Sequence, residues 1–546
     1  MPKNNKRLTV IPKNLIKSVL GEVPFTAEVY WLIRHPDKTL NSRFSLKNLE
    51  EHIDDLVAQV KNIRREQPSK GKNVFIFATL HYWIEHAALT GMSLSALGHD
   101  VTLGFLPYHD WSSEINKFDL RRQALYAENI LKRAGEIIHA LSFLDLHAGY
   151  KVIPQELYNR IEKISYYDTM YTLQVESVDT NCQIYKLRSQ RNFQAARAAY
   201  SWLQQSKPDV VIVPNGSILE FGVVYEVAKY LNIPVVTYEF GDQRQRIWIA
   251  QNQKVMRQDT RQMWEAIKDI PLTPTEINKV HELFESRRKA SVWKNFSRLW
   301  QPVPAKGVEI ARNELGLDDR MVVLLATNVL GDSLTLGREI FTKSMEEWLE
   351  RTLQYFAGRP DLQLIIRVHP GEKLIHGQSM VDVINRVLPR LPGHIHVIKP
   401  EEDVNTYDLI AAADIGLVYT TTVGLEMAMS GVPVIVVGDT HYRGKGFTLD
   451  PESWVKYYKT LKAVIEDPKA YRLTDEQIEK AWTYAYRFFF DFPLPFPWHL
   501  IDPWEDFENN DIESIFRSDN WPEYERTFRY LLGEPIDWKI AIDKYD

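Results

Sequence analysis

The sequence predicts an α/β protein with two doubly wound domains, each a parallel sheet covered by helices on both faces. Three observations predict it. Short runs rich in Val and Ile alternate with helical patterns, the mark of strands buried on both faces. The rhythm appears twice, between about 74 and 242 and between about 321 and 438. Between the two series lies ASVWKNFSRLWQPVPAK (290–306), which has two close prolines and no period and reads as a linker.

The elements follow in order. Residues 1 to about 70 are mostly helical in pattern. VFIFAT (74–79) is a buried strand that runs into a helix over LHYWIEHAALTGMSLSALGHD, ending at Gly98. VTLGFLPY (101–108) is the next strand, and the crossover between the two should be right-handed. A long helical region reaches about 207. The pattern returns with DVVIVPNG (209–216), a helix over FGVVYEVAKYLN, and IPVVTYEFGD (233–242). After the linker come MVVLLAT (321–327), a helix over about 337–357, LQLIIRVHP (362–370) and a helix near 379–390. HIHVIKP, a short helix at 404–412, DIGLVY, a helix over VGLEMAMSG and PVIVVG complete this half. Helical patterns near 451–466 and 475–487 lead into FFFDFPLPFPWHLIDPW, where dense prolines forbid a long helix. That tail reads as an aromatic wrap packed onto the body; a membrane-surface wedge is the sharper reading, without the usual basic face. The expected domains are 1–300, 307–470 and a tail over 471–546 that packs back on the N-terminal domain.

The bulk numbers agree. A chain of 546 residues exceeds one core, so two or more domains are expected. With 45% hydrophobic and 25% charged residues it falls among globular rather than disordered chains. A net charge of -6 without a long run of one sign argues against a nucleic-acid partner. The single cysteine, Cys182, rules out an intramolecular disulfide and a cysteine-based zinc site. The N-terminus lacks the apolar core of a signal peptide, and no stretch reaches the roughly 20 apolar residues that span a bilayer. The expected location is therefore cytoplasmic, with peripheral contact at the inner face of the plasma membrane left open. Aromatic residues, 12% of the chain, suit large cores or a sugar-binding cleft.

Ligands of open α/β sheets bind beyond the C-terminal ends of the strands. In RVHPGE, His369 can donate to a phosphate oxygen, Arg367 can add charge, and Pro370 stops the strand. In YTTTVGLEMAMSG, Thr420, Thr421 and Thr422 precede a helix, where unpaired N–H groups and the dipole favour an anion. One helix cap needs one hydroxyl, and here there are three. Gly424 and Glu426 follow; a carboxylate one turn on, facing the same crevice, suits a ribose diol. TNVLGDS offers Asn328, Asp332 and Ser333, with Gly331 permitting a close turn. GDTHYRGKGFTLDP, with His441, Tyr442, Arg443 and Lys445, suits a mobile loop over an anionic ligand.

In the first half, His81, Glu85 and His86 cluster at a helix start. They make a poor metal site, so no metal and no cofactor are expected. Glu239 and Asp242 end a strand beside Arg244 and Arg246. Either acid could serve as a general base, or as half of a structural ion pair. No GxSxG, Walker A or GxGxxG pattern appears, which lowers the odds of a serine hydrolase, a P-loop NTPase or a dinucleotide oxidoreductase.

Together, RVHP (367–370) and VYTTTVGLEMAMSGVPVIVVGDTHYRGKGFT (418–448) resemble glycosyltransferases of the GT-B fold. More narrowly, they resemble the capsule polysaccharide biosynthesis proteins, which include Kdo transferases using CMP-Kdo. The His-Pro and Ser/Thr motifs are also similar to those of bacterial sialyltransferases. The resemblance covers roughly 320–450. It implies two Rossmann-like domains facing a cleft; the helical insert and the aromatic C-terminal tail are read from this chain's own pattern. The C-terminal domain would bind a nucleotide-sugar donor and the N-terminal domain a glycan or lipid-linked glycan acceptor. His369 and Thr420–Thr422 would grip the CMP phosphate, and Glu426 the ribose or cytidine. The resemblance supplies no catalytic base; read from the residues themselves, Glu239 or Asp242 is the expected acceptor base, with His81 and Glu85 as second choice. CDP-glycerol-type polyol phosphate transferases share a similar His-Pro and Ser/Thr turn, sugar-nucleotide 2-epimerases share them in looser form, and both stand as alternatives.

Overall fold

The computed structural model describes residues 13–34, 43–64, 71–144, 146, 152–374 and 377–539. They fall into two compact units. The first lies within 1–165, 183–237 and 497–534; the second lies within 166–182, 238–496 and 535–546.

The first unit is built on β1 (Asn73–Thr79), β2 (Asp100–Leu106), β3 (Ile138–Ser142), β4 (Val210–Pro214) and β5 (Val235–Glu239), in the spatial order β5-β4-β1-β2-β3. The β1–β2, β2–β3 and β1–β4 pairs are parallel. Parallel neighbours need crossovers, and the helices His81–Ala96 and Leu219–Tyr230 provide two of them. Every residue of β1 after Asn73 is buried, as are all of β4, which is why both read as unbroken apolar runs. The sequence reading missed β3, which it placed inside a long helical region. Its five residues, IHALS, carry no long apolar run, and it sits at the sheet edge with an exposed His139.

The second unit carries β6 (Arg246–Gln251), β7 (Met321–Ala326), β8 (Leu362–Arg367), β9 (Ile395–Ile398), β10 (Ile415–Val418), β11 (Val434–Val436) and β12 (Leu494–Pro495). Five of them form a parallel sheet in the order β11-β10-β7-β8-β9. β6 pairs antiparallel with the two-residue β12. One face of the sheet packs a core in which Trp348, Tyr419 and Tyr457 are buried among aliphatic side chains. The Trp348 indole N–H donates to the Tyr457 hydroxyl at 3.3 Å, so the polar tips of these rings are met inside the core.

Two further expectations changed. The helix expected over 337–357 begins only at Met345, where the Ser344 hydroxyl accepts from the Glu347 N–H. Gly337, at φ 70, helps keep the preceding segment irregular. The aromatic tail is covered rather than displayed: Phe488 stacks on His441 at 3.7 Å, and Phe490 meets Trp293 edge-on. Rings spent on these contacts are not available as a membrane wedge. Among the described residues, no helix is long and apolar enough to cross a membrane.

Candidate functional site

Register alone gathers the first three site residues. Val418 of β10 pairs with Ala326 of β7, and Ala326 pairs with Arg367 of β8. Two residues beyond each of these lie Thr420, Asn328 and His369, so three adjacent strands deliver them at one level. Side chains tie the strand ends together. The Thr420 N–H donates to Asn328 Oδ1 at 3.2 Å, and the His369 N–H donates to Thr327 Oγ1 at 3.1 Å. With its oxygen engaged, the Asn328 amide turns its NH2 group to any ligand as a donor.

The His369 ring has a defined tautomer. Nδ1 accepts from the Gly371 N–H at 3.0 Å, so the neutral ring carries its proton on Nε2. Burial, with Arg298 and Arg367 nearby, pushes its pKa down to about 4. The site therefore presents a neutral N–H donor at pH 7. The sign of the pH effect follows. Between 6.5 and about 4 the unfolded chain takes up a proton that folded His369 refuses. Stability is therefore full above pH 6.5 and falls as the pH drops toward 4. For this half-buried group the loss is at most about 3 kcal/mol. Urea unfolding at pH 7 and pH 4.5 is expected to show it, with a smaller difference for His369→Gln.

Other expected site residues are turned inward. Arg367 is buried and donates to the carbonyls of Lys399 (3.1 Å) and Val404 (3.3 Å), so it braces the end of β8 instead of facing a phosphate. Glu426 does not stand open in a crevice either. It is 6% exposed, and its Oε1 accepts from Arg287 Nη1 at 2.9 Å. Burial raises its pKa, and Arg287 opposes the rise. Tyr442 is fully buried and donates to the Thr421 carbonyl at 2.6 Å, which locks the loop after β11 onto the threonine turn. Gly424 lies under that contact: a Cβ there would run into the Tyr442 hydroxyl and Val418 Cγ2. Tyr442→Phe removes one bond, but the Thr421 carbonyl keeps the Gly424 N–H. We expect a loss of about 1 kcal/mol and faster amide exchange at Gly424, read by hydrogen exchange.

The threonines divide unevenly. Thr422 holds the N-cap position of the helix Val423–Met429 but makes no side-chain cap bond. Thr421 Oγ1 lies 3.5 Å from the Val423 N–H, a marginal cap. Thr421 is buried, whereas Thr420 and Thr422 are half-buried. The helix has seven residues, so its dipole contributes less than the sequence reading assumed. Pro370 opens a short 3-10 turn, Pro370–Leu374. Asp332 Oδ1 accepts from the Leu334 N–H at 2.9 Å, and burial raises its pKa. Ser333 is buried beside it, and Gly331 takes φ 67 against the Met170 carbonyl.

Among the acid–base candidates, Asp242 lies 3.8 Å from Arg298, and Glu239 Oε1 accepts from the Phe240 N–H at 3.1 Å. In the first unit, Glu85 is consumed by the Leu49 N–H (3.0 Å) and the Trp504 indole N–H (3.1 Å). His81 keeps Nδ1 buried without a hydrogen-bond partner among the described residues, and burial lowers its pKa. Sequence reasoning missed Arg298, which it left inside the linker. Its guanidinium acts electrostatically on Asp242, His369 and Asp332, the only signal of which is three-dimensional. Among the described residues, no three His, Cys, Asp or Glu side chains gather as a metal site.

Residues 288–473 match the sequence model of the capsule polysaccharide biosynthesis protein family. The match contains β7 to β11, the threonine turn, His369 and Arg298. No curated protein matches the chain. Among solved structures, the chain is similar to the Thermosulfurimonas dismutans KpsC beta Kdo 2,4 transferase, with 20% identity and a TM-score of 0.33 over 50% of this chain and 78% of that one. For the beta Kdo 2,7 transferase of the same organism, the values are 13% and 0.31, over 55% and 87%. For the Neisseria meningitidis UDP-GlcNAc 2-epimerase bound to UDP-GlcNAc, they are 14% and 0.24, over 75% and 97%.

Proposed function

We propose that the chain is a GT-B-type glycosyltransferase of capsule or cell-surface polysaccharide synthesis. Its second unit would hold a nucleotide-sugar donor, with a CMP-linked Kdo-type sugar favoured, and its first unit the glycan acceptor. One observation carries this reading: three strand ends in register bring together an N–H donor on His369, the amide of Asn328 and the hydroxyl of Thr420. This segment lies within the stretch that matches the capsule family.

Transfer of a sugar from a nucleotide leaves a phosphate that gains negative charge as the glycosidic bond breaks. Donors fixed where that charge develops lower the barrier. His369 Nε2–H, the hydroxyls of Thr420 and Thr422, and the guanidinium of Arg298 would be such donors, and no metal is needed for this role. Glu239 or Asp242 would take the acceptor proton, with His81 second. Glu85, held by two internal bonds, drops behind them.

Thermal shift of the full chain with CMP, CDP, UDP and GDP tests the reading. Stabilisation by CMP supports it. Stabilisation by UDP alone favours an epimerase, and no shift with any nucleotide sinks the donor site.

A further inference from the structure

Beyond β11 lies a cavity of about 60 Å³, wholly within the second unit. One ordered water needs roughly 10–15 Å³ on this measure, so the space suits a small oxyanion. Its wall adjoins the site above, because the Thr440 hydroxyl donates to the Thr420 carbonyl at 3.1 Å.

The charge of this cavity is lopsided. Five cationic side chains line it against two carboxylates, in a chain whose net charge is -6. Two arginines are answered: Arg257 pairs with Asp439 at 2.6 Å, and Arg261 with Asp259 at 2.5 Å. The other three are not. Arg338 is 4% exposed and donates only to the carbonyls of Leu334, Asp439 and Met256. Arg443 donates to the carbonyls of Val436 and Pro451. Lys445 is 6% exposed; its ammonium lies 5.9 Å from the Tyr484 ring centroid and, among the described residues, makes neither a hydrogen bond nor an ion pair, while Asp259 and Glu265 act on it from a distance.

A second observation points the same way. His441, another lining residue, is 6% exposed and its Nε2 has no hydrogen-bond partner. Its Nδ1 lies 2.9 Å from the Tyr484 hydroxyl, and its ring is clamped on Phe488. The Tyr484 hydroxyl gives its one proton to the His441 carbonyl at 2.7 Å, so Nδ1 donates to Tyr484 and the neutral ring leaves Nε2 as a buried acceptor, able to meet a hydroxyl of a hydrogenphosphate or a sugar. Buried cations with no counter-ion are costly, and a bound anion removes that cost.

We propose that this cavity is an anion subsite that takes the carboxylate or phosphoryl oxygens of a sugar acid or sugar phosphate. Lys445 would be its direct donor, and His441 Nε2 would accept from a hydroxyl of the same ligand. The affinity for an oxyanion stands on the cavity alone; its assignment to a sugar rests on the proposed function.

Calorimetric titration of the full chain with inorganic phosphate tests the subsite. Binding is expected to weaken roughly tenfold or more in Lys445→Gln, the scale of one charge-assisted hydrogen bond. It should also weaken in Arg261→Gln, an exposed change that spares the fold, and persist in His369→Ala. No phosphate binding, or binding indifferent to both cavity variants, overturns the subsite. Loss in His369→Ala alone places the phosphate in the donor site and overturns the subsite while leaving the proposed function standing. Two further ligands separate the sources. If the donor supplies the anion, Lys445→Gln weakens a CMP-linked sugar acid but not CMP. If the acceptor supplies it, Lys445→Gln weakens an acidic oligosaccharide, and His369→Ala does not. If neither sugar ligand responds to Lys445→Gln, the sugar assignment falls.

Discussion

His369→Ala is expected to weaken strongly the nucleotide binding proposed for the second unit, while the unit itself stays folded. The ring is half-buried at a strand end, so its removal opens no large cavity. One structural hydrogen bond at this position is made by the backbone, from the His369 N–H to Thr327, and survives the change. What disappears is the Nε2–H donor, together with the Nδ1 that accepts from the Gly371 N–H. A hydrogen bond to a charged partner is worth about 1.5–3 kcal/mol, so the nucleotide affinity should fall roughly tenfold to a hundredfold. His369→Gln, which retains an N–H, should recover part of it. Thermal shift and calorimetry on the three proteins read the effect.

Glu426→Ala destabilises the second unit by about 3–5 kcal/mol, the cost of leaving one partner of a buried ion pair uncompensated. Arg287 is 2% exposed, and its guanidinium lies 4.2 Å from the Trp300 ring centroid and 4.6 Å from that of Phe489. Those rings attract the cation but cannot neutralise it. Arg287→Met is expected to cost about as much, because it strands the Glu426 carboxylate. The double variant Arg287→Met with Glu426→Leu should cost less than either single change, since an apolar pair can replace a buried ion pair. Urea unfolding of the unchanged protein, Glu426→Leu, Arg287→Met and the double variant forms the cycle. Simple additivity would show that the pair is not coupled, and that Glu426 is open to a ligand instead.

The sheets were legible because their strands are buried on both faces, and burial writes itself into sequence as unbroken Val and Ile runs. β3 was not, since an edge strand with His139 outward needs no such run. The site was half legible. His369 and the threonines follow strands directly, so reading strand ends finds them. The fates of Arg367, Glu426 and Tyr442 depend on partners 32, 139 and 21 residues away, which no local pattern encodes. Arg298 lay hidden for the same reason: an irregular segment carries no period, and only the fold brings it to His369.

The central claim is that the registered strand ends hold the phosphate of a sugar nucleotide during transfer. CMP release from CMP-Kdo, measured with and without a capsular oligosaccharide, tests it most directly. The account predicts release that depends on the acceptor, accompanies a longer glycan, and is lost in His369→Ala. Release that is indifferent to both the acceptor and His369, or conversion of a UDP-sugar to its epimer with CMP-Kdo untouched, would contradict it.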